Sequence, residues 1–174
     1  DGSRRLAALE WSEADATEVG GPAEAAGAFD RGALGTAAVL LGLGHRMLDM
    51  TVAYATERRQ FGVPIGSFQA VKHHLADARI ALEFAQPLVA RAAYSLSTAD
   101  PDAPEHVSMA KAQAGDAAEL AARAALQCHG AIGYSSEYDL HLWMKRVWAS
   151  ACTAKAWCTP ALTCSSKESA TALT

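Results

Sequence analysis

Apolar residues recur along this chain in four long stretches separated by short breaks. In the first, Leu34, Ala37, Ala38, Leu41, Leu48 and Val52, with His45 in the same series, step by three and four residues. That spacing lines one face of an α-helix and predicts a first helix from Asp30 or Arg31 to about Arg59. Gly35, Gly42 and Gly44 each lower its propensity by about 1 kcal/mol and imply close approach of neighbouring backbone. A second series, Val71, Leu75, Ala78, Leu82, Ala85 and Leu88, predicts a helix that starts near Ser67, a good cap. Pro87 lies inside it, removes a backbone hydrogen bond and is expected to kink it. Gly62-Val63-Pro64 reads as the turn between the two helices, and residues 99–104, with Pro101 and Pro104, as a plain break. An alanine-rich third helix is predicted from about Glu105 to His129, where Gly130 is a natural stop. After the turn Gly130-Ala131-Ile132-Gly133, a fourth helix runs from about Tyr138 to Trp157. Four helices joined by short breaks describe an all-α, antiparallel four-helix bundle.

The two ends of the chain differ from this middle. Arg4 to Trp11 has the makings of a short strand. Ser12 to Gly27 is acidic, and Gly20-Gly21-Pro22 is expected to break any regular element there. Residues 158–174 are crowded with serine and threonine, with Pro160 near their start, and read as a flexible tail. The expected organisation is a connector over 1–29, a helical domain over 30–157 and the tail. No internal repeat is visible.

Composition narrows the function classes. The 174 residues are 51% hydrophobic and 20% charged, which suits one globular domain with a sizeable core. A formal charge of −4 gives no reason to expect nucleic acid or an anionic membrane surface as a partner. The weakly polar run from Ala33 to Gly44 is too short to span a bilayer, and no secretory signal opens the chain. Cys128, Cys152, Cys158 and Cys164 show no metal-binding spacing, and no metal site is expected; structural thiols in a reducing compartment, hence a cytoplasmic protein, are expected instead. The chain starts without methionine, as a fragment or processed product would.

The chemistry concentrates at the junction of the first two helices. Glu57-Arg58-Arg59-Gln60-Phe61-Gly62 puts two guanidiniums, an amide and an aromatic ring beside a glycine. Arginine offers forked donors to phosphate and the ring a stacking face, so the cluster suits a phosphate-bearing, flat-ringed ligand. A solvated helix boundary has the same composition. Three separated blocks then carry a family resemblance. They are Tyr54-Ala55-Thr56-Glu57-Arg58-Arg59-Gln60-Phe61-Gly62 followed by Phe68-Gln69-Ala70-Val71; Ala110-Lys111; and Gln127-Cys128-His129-Gly130-Ala131-Ile132-Gly133-Tyr134 followed by Glu137-Tyr138. In order and spacing the chain, from about Phe29 to Trp157, resembles the C-terminal helical domain of the flavin-dependent acyl-CoA dehydrogenases.

The resemblance implies an FAD cofactor and an acyl-CoA substrate, dehydrogenated between its α and β carbons. By motif, Arg58 matches the arginine that reaches the FAD pyrophosphate of a neighbouring subunit, and Gln60 and Phe61 match positions lining the same cofactor. Gln127 matches the glutamine on the adenosine side, although an amide capping its own helix end has the same appearance. Gly130 and Ala131 occupy the turn that passes close to the cofactor, where the family usually has two glycines; the Ala131 methyl is extra. His129 and His141 read as polar helix-end residues, and His73-His74 straddles the edge of the second helix. Trp143 and Trp148 read as packing residues. Lys145 and Arg146 suit CoA phosphates or a solvated basic face equally.

The family's catalytic base is missing from its usual places. Counting by motif, one glutamate position falls on Ala154 and the alternative on about Gly32. Asp30 is the nearby carboxylate, either as base or as N-cap of the first helix. The resemblance therefore implies a supporting chain that contributes to a shared FAD site in a homo-oligomer or beside a second acyl-CoA dehydrogenase chain. The alternatives are a complete catalyst using Asp30, and a helical interaction module that has lost its flavin.

Overall fold

A computed structural model describes residues 19–157 continuously, with Ala8, Glu10, Ser12 and Thr17 before them, and side chains as far as Ala151. The expected tail over 158–174 lies outside the described residues. So does the expected strand Arg4–Trp11, apart from Ala8 and Glu10, which belong to no regular element.

Four helices form the domain: α1 (Pro22–Glu57), α2 (Gln69–Ser97), α3 (Ala103–His129) and α4 (Leu140–Trp157). Helix α1 starts well before Asp30, which corrects the expected boundary. Gly20-Gly21-Pro22 opens the helix rather than breaking it. Gly21 is the N-cap and Pro22 the first helical residue, where a missing N–H costs nothing. The Glu24 carboxylate accepts the Gly21 N–H at 2.9 Å, half of a capping box, since glycine has no side chain to answer it. Asp30 is accordingly an interior residue of α1 and caps nothing.

Between α1 and α2 the chain makes a short hairpin, β1 (Arg59–Gln60) against β2 (Val63–Pro64), with Arg59 opposite Pro64 and Gln60 opposite Val63. Its turn is Phe61-Gly62, one position earlier than expected, with φ of 52° and 82°. Two successive positive φ values are the signature of the tight hairpin turn whose twist matches the strands. Ser67 does not cap α2: it ends a 3-10 turn (Ile65–Ser67) and its Oγ donates back to the Pro64 carbonyl at 2.7 Å. Helix α2 runs continuously through Pro87. The Glu83 carbonyl that loses its partner there lies, like Pro87, on the exposed face.

Helix α3 is the centre of the bundle, with α1 and α2 on it and α4 against α3 and α1. Its alanines make this possible. Ala110, Ala114, Ala117, Ala118, Ala121, Ala122 and Ala125 are buried on more than one side, and short side chains let three neighbours come close. Leu40, Met47, Leu82, Leu140, Met144 and Val147 fill the space between. Gly44 is the one first-helix glycine that behaves as expected: a Cβ there would meet Leu82 at 2.5 Å, while Gly35 and Gly42 face open space. Val52 and Ala38 also lie outside the buried face expected of them. Lys111 is buried on α3 and its Nζ donates to the Ser150 carbonyl of α4 at 3.2 Å, tying the two helices together.

Candidate functional site

One end of the bundle gathers most of the residues singled out from sequence. A cleft of about 450 Å³ opens between the end of α1 with its hairpin and the end of α3 with the 3-10 turn Gly130–Tyr134. Arg58 and Gln60 line it from the first side; Gln127, Gly130 and Ala131 line it from the second. Its size falls in the range of small-molecule pockets, about 300–1,000 Å³.

Local structure explains how each wall is held. Arg58 ends α1, its N–H bonded to the Tyr54 carbonyl at 2.8 Å, and the Ile65 N–H returns to the Arg58 carbonyl at 2.8 Å. Arg58 is thus fixed by backbone on both sides while its side chain stays exposed. On the other wall, Gly130 ends α3 with φ 64° and ψ −139°, a conformation that side-chain-bearing residues rarely adopt. The chain turns there and presents Ala131 and Ile132 to the cleft. Gly133, behind the turn, is buried, and a Cβ on it would come within 3.0 Å of Leu126.

The cleft is built for an anion with polar edges. Arg58 is the charged residue of its lining, and no carboxylate lines it. The side chains of Arg58, Gln60 and Gln127 engage no hydrogen bond or ion pair among the described residues. Gln127 therefore does not cap its own turn; it stands exposed with its amide free for a ligand. Arginine donors suit a pyrophosphate, and the amide suits the hydroxyls or base edge of a nucleoside. These residues fit the nucleotide half of FAD. The Ala131 methyl lies on the lining, and this is the point where the cleft is narrower than a two-glycine turn would make it.

Three expected positions fall elsewhere. Phe61 does not line the cleft; it stands at the hairpin tip, 91% exposed, its ring edge-on to Phe68 at 6.3 Å. Asp30 lies at the other end of α1. Twenty-four residues of helix at about 1.5 Å each put it roughly 36 Å from Tyr54. A Cβ on Gly32 would touch nothing within 4 Å, and Ala154 lies on α4. No carboxylate at Gly32 or Ala154 is therefore available to this chain.

The sequence reading missed the floor of the cleft. Tyr54 and His129 both line it, and their rings stack at 4.3 Å and 22°. Tyr138 closes on His129 from another side at 4.9 Å. His129 is a helix-end residue as expected, but a buried one, with its Nδ1 2.8 Å from the Ala125 carbonyl. Burial holds its pKa below the ordinary histidine value. Burial also pushes the neighbouring Cys128 thiol up, so it stays protonated. The signal was present, because Tyr54 and His129 each sit inside a motif block, but nothing local says that they touch. His73 and His74 are both exposed, as expected at a helix edge, and Trp143 packs against the core while Trp148 stays at the surface.

Comparison with known proteins decides the family. Residues 20–154 match the model of the acyl-CoA dehydrogenase C-terminal domain. The chain belongs to the acyl-CoA dehydrogenase family. Its members are FAD-dependent flavoproteins. The chain is 39% identical over 156 residues to the acyl-CoA dehydrogenase IpdE2 of Mycobacterium tuberculosis, covering 87% of this chain and 44% of that protein. It thus spans less than half the length of that relative. Among solved structures, it is similar to the Tcur3481–Tcur3483 steroid acyl-CoA dehydrogenase G363A variant, with a TM-score of 0.74 and 30% identity over 77% of this chain and 37% of that one. It is also similar to the ChsE4–ChsE5 complex from Mycobacterium tuberculosis, with a TM-score of 0.66 and 31% identity over 71% of this chain and 33% of that one. The acyl-CoA dehydrogenase fold accounts for the all-α bundle. Among the described residues no helix is long and apolar enough to cross a membrane, and no cluster of metal-ligating side chains occurs.

Proposed function

We propose that this chain is a supporting component of an acyl-CoA dehydrogenase, contributing its cleft to an FAD site that another chain completes. The observation that carries the reading is the convergence of Arg58 and Gln60 with Gln127, Gly130 and Ala131 on one open cleft. In this reading Arg58 neutralises the pyrophosphate with charge-assisted hydrogen bonds. Gln127 and Gln60 orient the nucleoside, and the Gly130 turn lets backbone approach it closely. Bound flavin supplies the two-electron acceptor for α,β-dehydrogenation of an acyl-CoA thioester. The α-proton needs a placed base, the family's is a carboxylate, and no carboxylate lines this cleft. A cleft that binds cofactor without a carboxylate suits a chain whose partner does the proton transfer.

The partner is either a second copy or a second acyl-CoA dehydrogenase chain; a similar structure is itself a two-protein complex. The same proposal places the protein in the cytoplasm, in acyl-CoA metabolism, with Cys128 as a free thiol.

Flavin absorbance of the purified full-length oligomer tests the reading. Bound FAD that is lost with Arg58→Ala supports it. An oligomer that takes up no FAD, or a monomer at micromolar concentration by light scattering, contradicts it. Turnover of Asp30→Asn separates the supporting chain from a complete catalyst: unchanged turnover fits a base on the partner, and abolished turnover with flavin still bound fits Asp30 as base.

A further inference from the structure

We propose that His129 is a positioning residue for the cleft, a ring wedged between Tyr54 and Tyr138 that sets the end of α3, with Gln127 and the Gly130 turn, against the end of α1. The inference rests on the reading of the cleft as a nucleotide site. It concerns what keeps the two walls of that site in register.

Tyr54 stands one helical turn before Arg58 and is joined to it by the Arg58 N–H bond to its carbonyl. His129 stands two residues after Gln127 and immediately before the Gly130 turn. The Tyr54–His129 stack, at 4.3 Å and 22°, is therefore a direct link between the residue that holds Arg58 and the segment that holds Gln127. Tyr138, with ring centroids 4.9 Å from His129 and 6.2 Å from Tyr54, fixes the stack from the bend just before α4. The end of α1, the end of α3 and the bend before α4 meet on one ring.

The histidine is held in one orientation. A carbonyl oxygen only accepts, so at 2.8 Å from the Ala125 carbonyl Nδ1 carries the hydrogen. That bond ties the ring to the last turn of its own helix and leaves Nε2 with the lone pair. Nε2 is buried and has no hydrogen-bond partner among the described residues. An isolated acceptor contributes nothing to holding the ring, so the packed faces set its place and the one N–H bond only selects which ring edge points at Ala125. Aromatic pairs prefer such offset or tilted contacts, and they resist sliding because the neighbouring atoms are packed. The stack sets the last turn of α3 against α1, and with it Gln127 and the turn that follows.

The test compares His129→Phe with His129→Asn in the complete oligomer. Phenylalanine keeps a ring between the tyrosines and loses both nitrogens; asparagine keeps polarity and loses the ring. The expected result is FAD affinity within about twofold of wild type for His129→Phe, and about three- to tenfold weaker for His129→Asn. Tyr54→Leu should weaken it to a similar degree, and the double variant should be no worse than either alone, because both remove one contact. Hydrogen exchange on the flavin-free protein is read in parallel. Residues 126–134 should exchange faster in His129→Asn and at the wild-type rate in His129→Phe. If His129→Phe loses FAD as severely as His129→Asn, a ring nitrogen serves the ligand and the positioning role is overturned. It is equally overturned if neither variant changes affinity or exchange. Wild-type protein that binds no FAD defeats the nucleotide reading alone, and the exchange contrast still decides what His129 does.

Discussion

The two ends of this bundle treat their polar groups in opposite ways. At the α2–α3 turn they are spent on one another. Ser95, fully buried, has its Oγ 2.9 Å from His106 Nδ1 and 3.3 Å from Asp100 Oδ2. Asp100 also accepts the Asp102 N–H at 3.0 Å and faces Arg91 at 3.7 Å. That turn closes on itself and fastens α3 to α2. At the other end Arg58, Gln60 and Gln127 are held by their backbone while their side chains point into a cleft without partners among the described residues. Fixed backbone with unspent side chains is the arrangement of a site prepared for a ligand, because the backbone is already ordered and only side-chain rotamers remain to be fixed on binding. The paired end is architecture, and the unpaired end is where we propose the ligand binds.

The strongest way to break the comparison is Arg58→Ala. Loss of a charge-assisted phosphate contact should cost about 1.5–3 kcal/mol of FAD binding, roughly ten- to a hundredfold in affinity. Melting of the flavin-free protein should hardly move, since this exposed side chain holds nothing else. Equilibrium titration beside a thermal melt reads both.

Backbone strain supplies the next contrast. Gly130 at the cleft and Ala99 at the far turn both have positive φ, 64° and 52°. Gly130→Ala should destabilise by about 1–3 kcal/mol and weaken FAD as the turn shifts. Ala99→Gly relieves a left-handed alanine and should stabilise by up to about 1 kcal/mol while leaving FAD binding alone. Denaturant midpoints rank the two.

The ends should also titrate in different windows. His129 has its proton affinity lowered by burial, so the folded state prefers the neutral ring. Its part of the stability is complete above the unfolded value of 6.5 and is lost as pH falls from there through the lower folded value. Asp100 is lowered chiefly by the Asp102 N–H bond, opposed by burial and aided by Ser95, His106 and Arg91. Its contribution is present above 3.8 and is lost only as pH falls further. Urea titrations from pH 7 to 3 should show two steps, with His129→Phe removing the upper and Asp100→Asn the lower.

The smallest effect expected is that of Arg59→Ala. Arg59 sits on β1, outside the cleft lining, and should change FAD affinity by less than about 0.5 kcal/mol. An effect as large as that of Arg58→Ala would move the site onto the hairpin and dissolve the contrast between the neighbouring arginines.

Much of this was readable before any coordinates. Periodicity marks α1 and α2 because each buries mainly one stripe; α3, buried on more than one side, is marked instead by its alanine content and by Gly130 at its end. The start of α1 was misread because Gly-Gly-Pro has the composition of a break, although glycine before proline also makes a helix start. The hairpin turn was displaced because phenylalanine is not a turn residue; nothing local announces Phe61 at φ 52°. The cleft residues were identified from motif blocks, one by one. That Arg58 and Gln127 share a wall-to-wall space depends on how α1 and α3 cross, and alanine packing, not any motif, sets that. The Tyr54–His129 stack was invisible for the same reason.

The most direct test of the cleft's role is hydrogen–deuterium exchange of the complete oligomer with and without FAD. Protection is predicted over residues 54–65 and 126–134, the two walls, with no change over 91–106 at the paired end. Protection that skips the two walls, or that appears at the α2–α3 turn instead, would contradict the assignment of this cleft as the cofactor site.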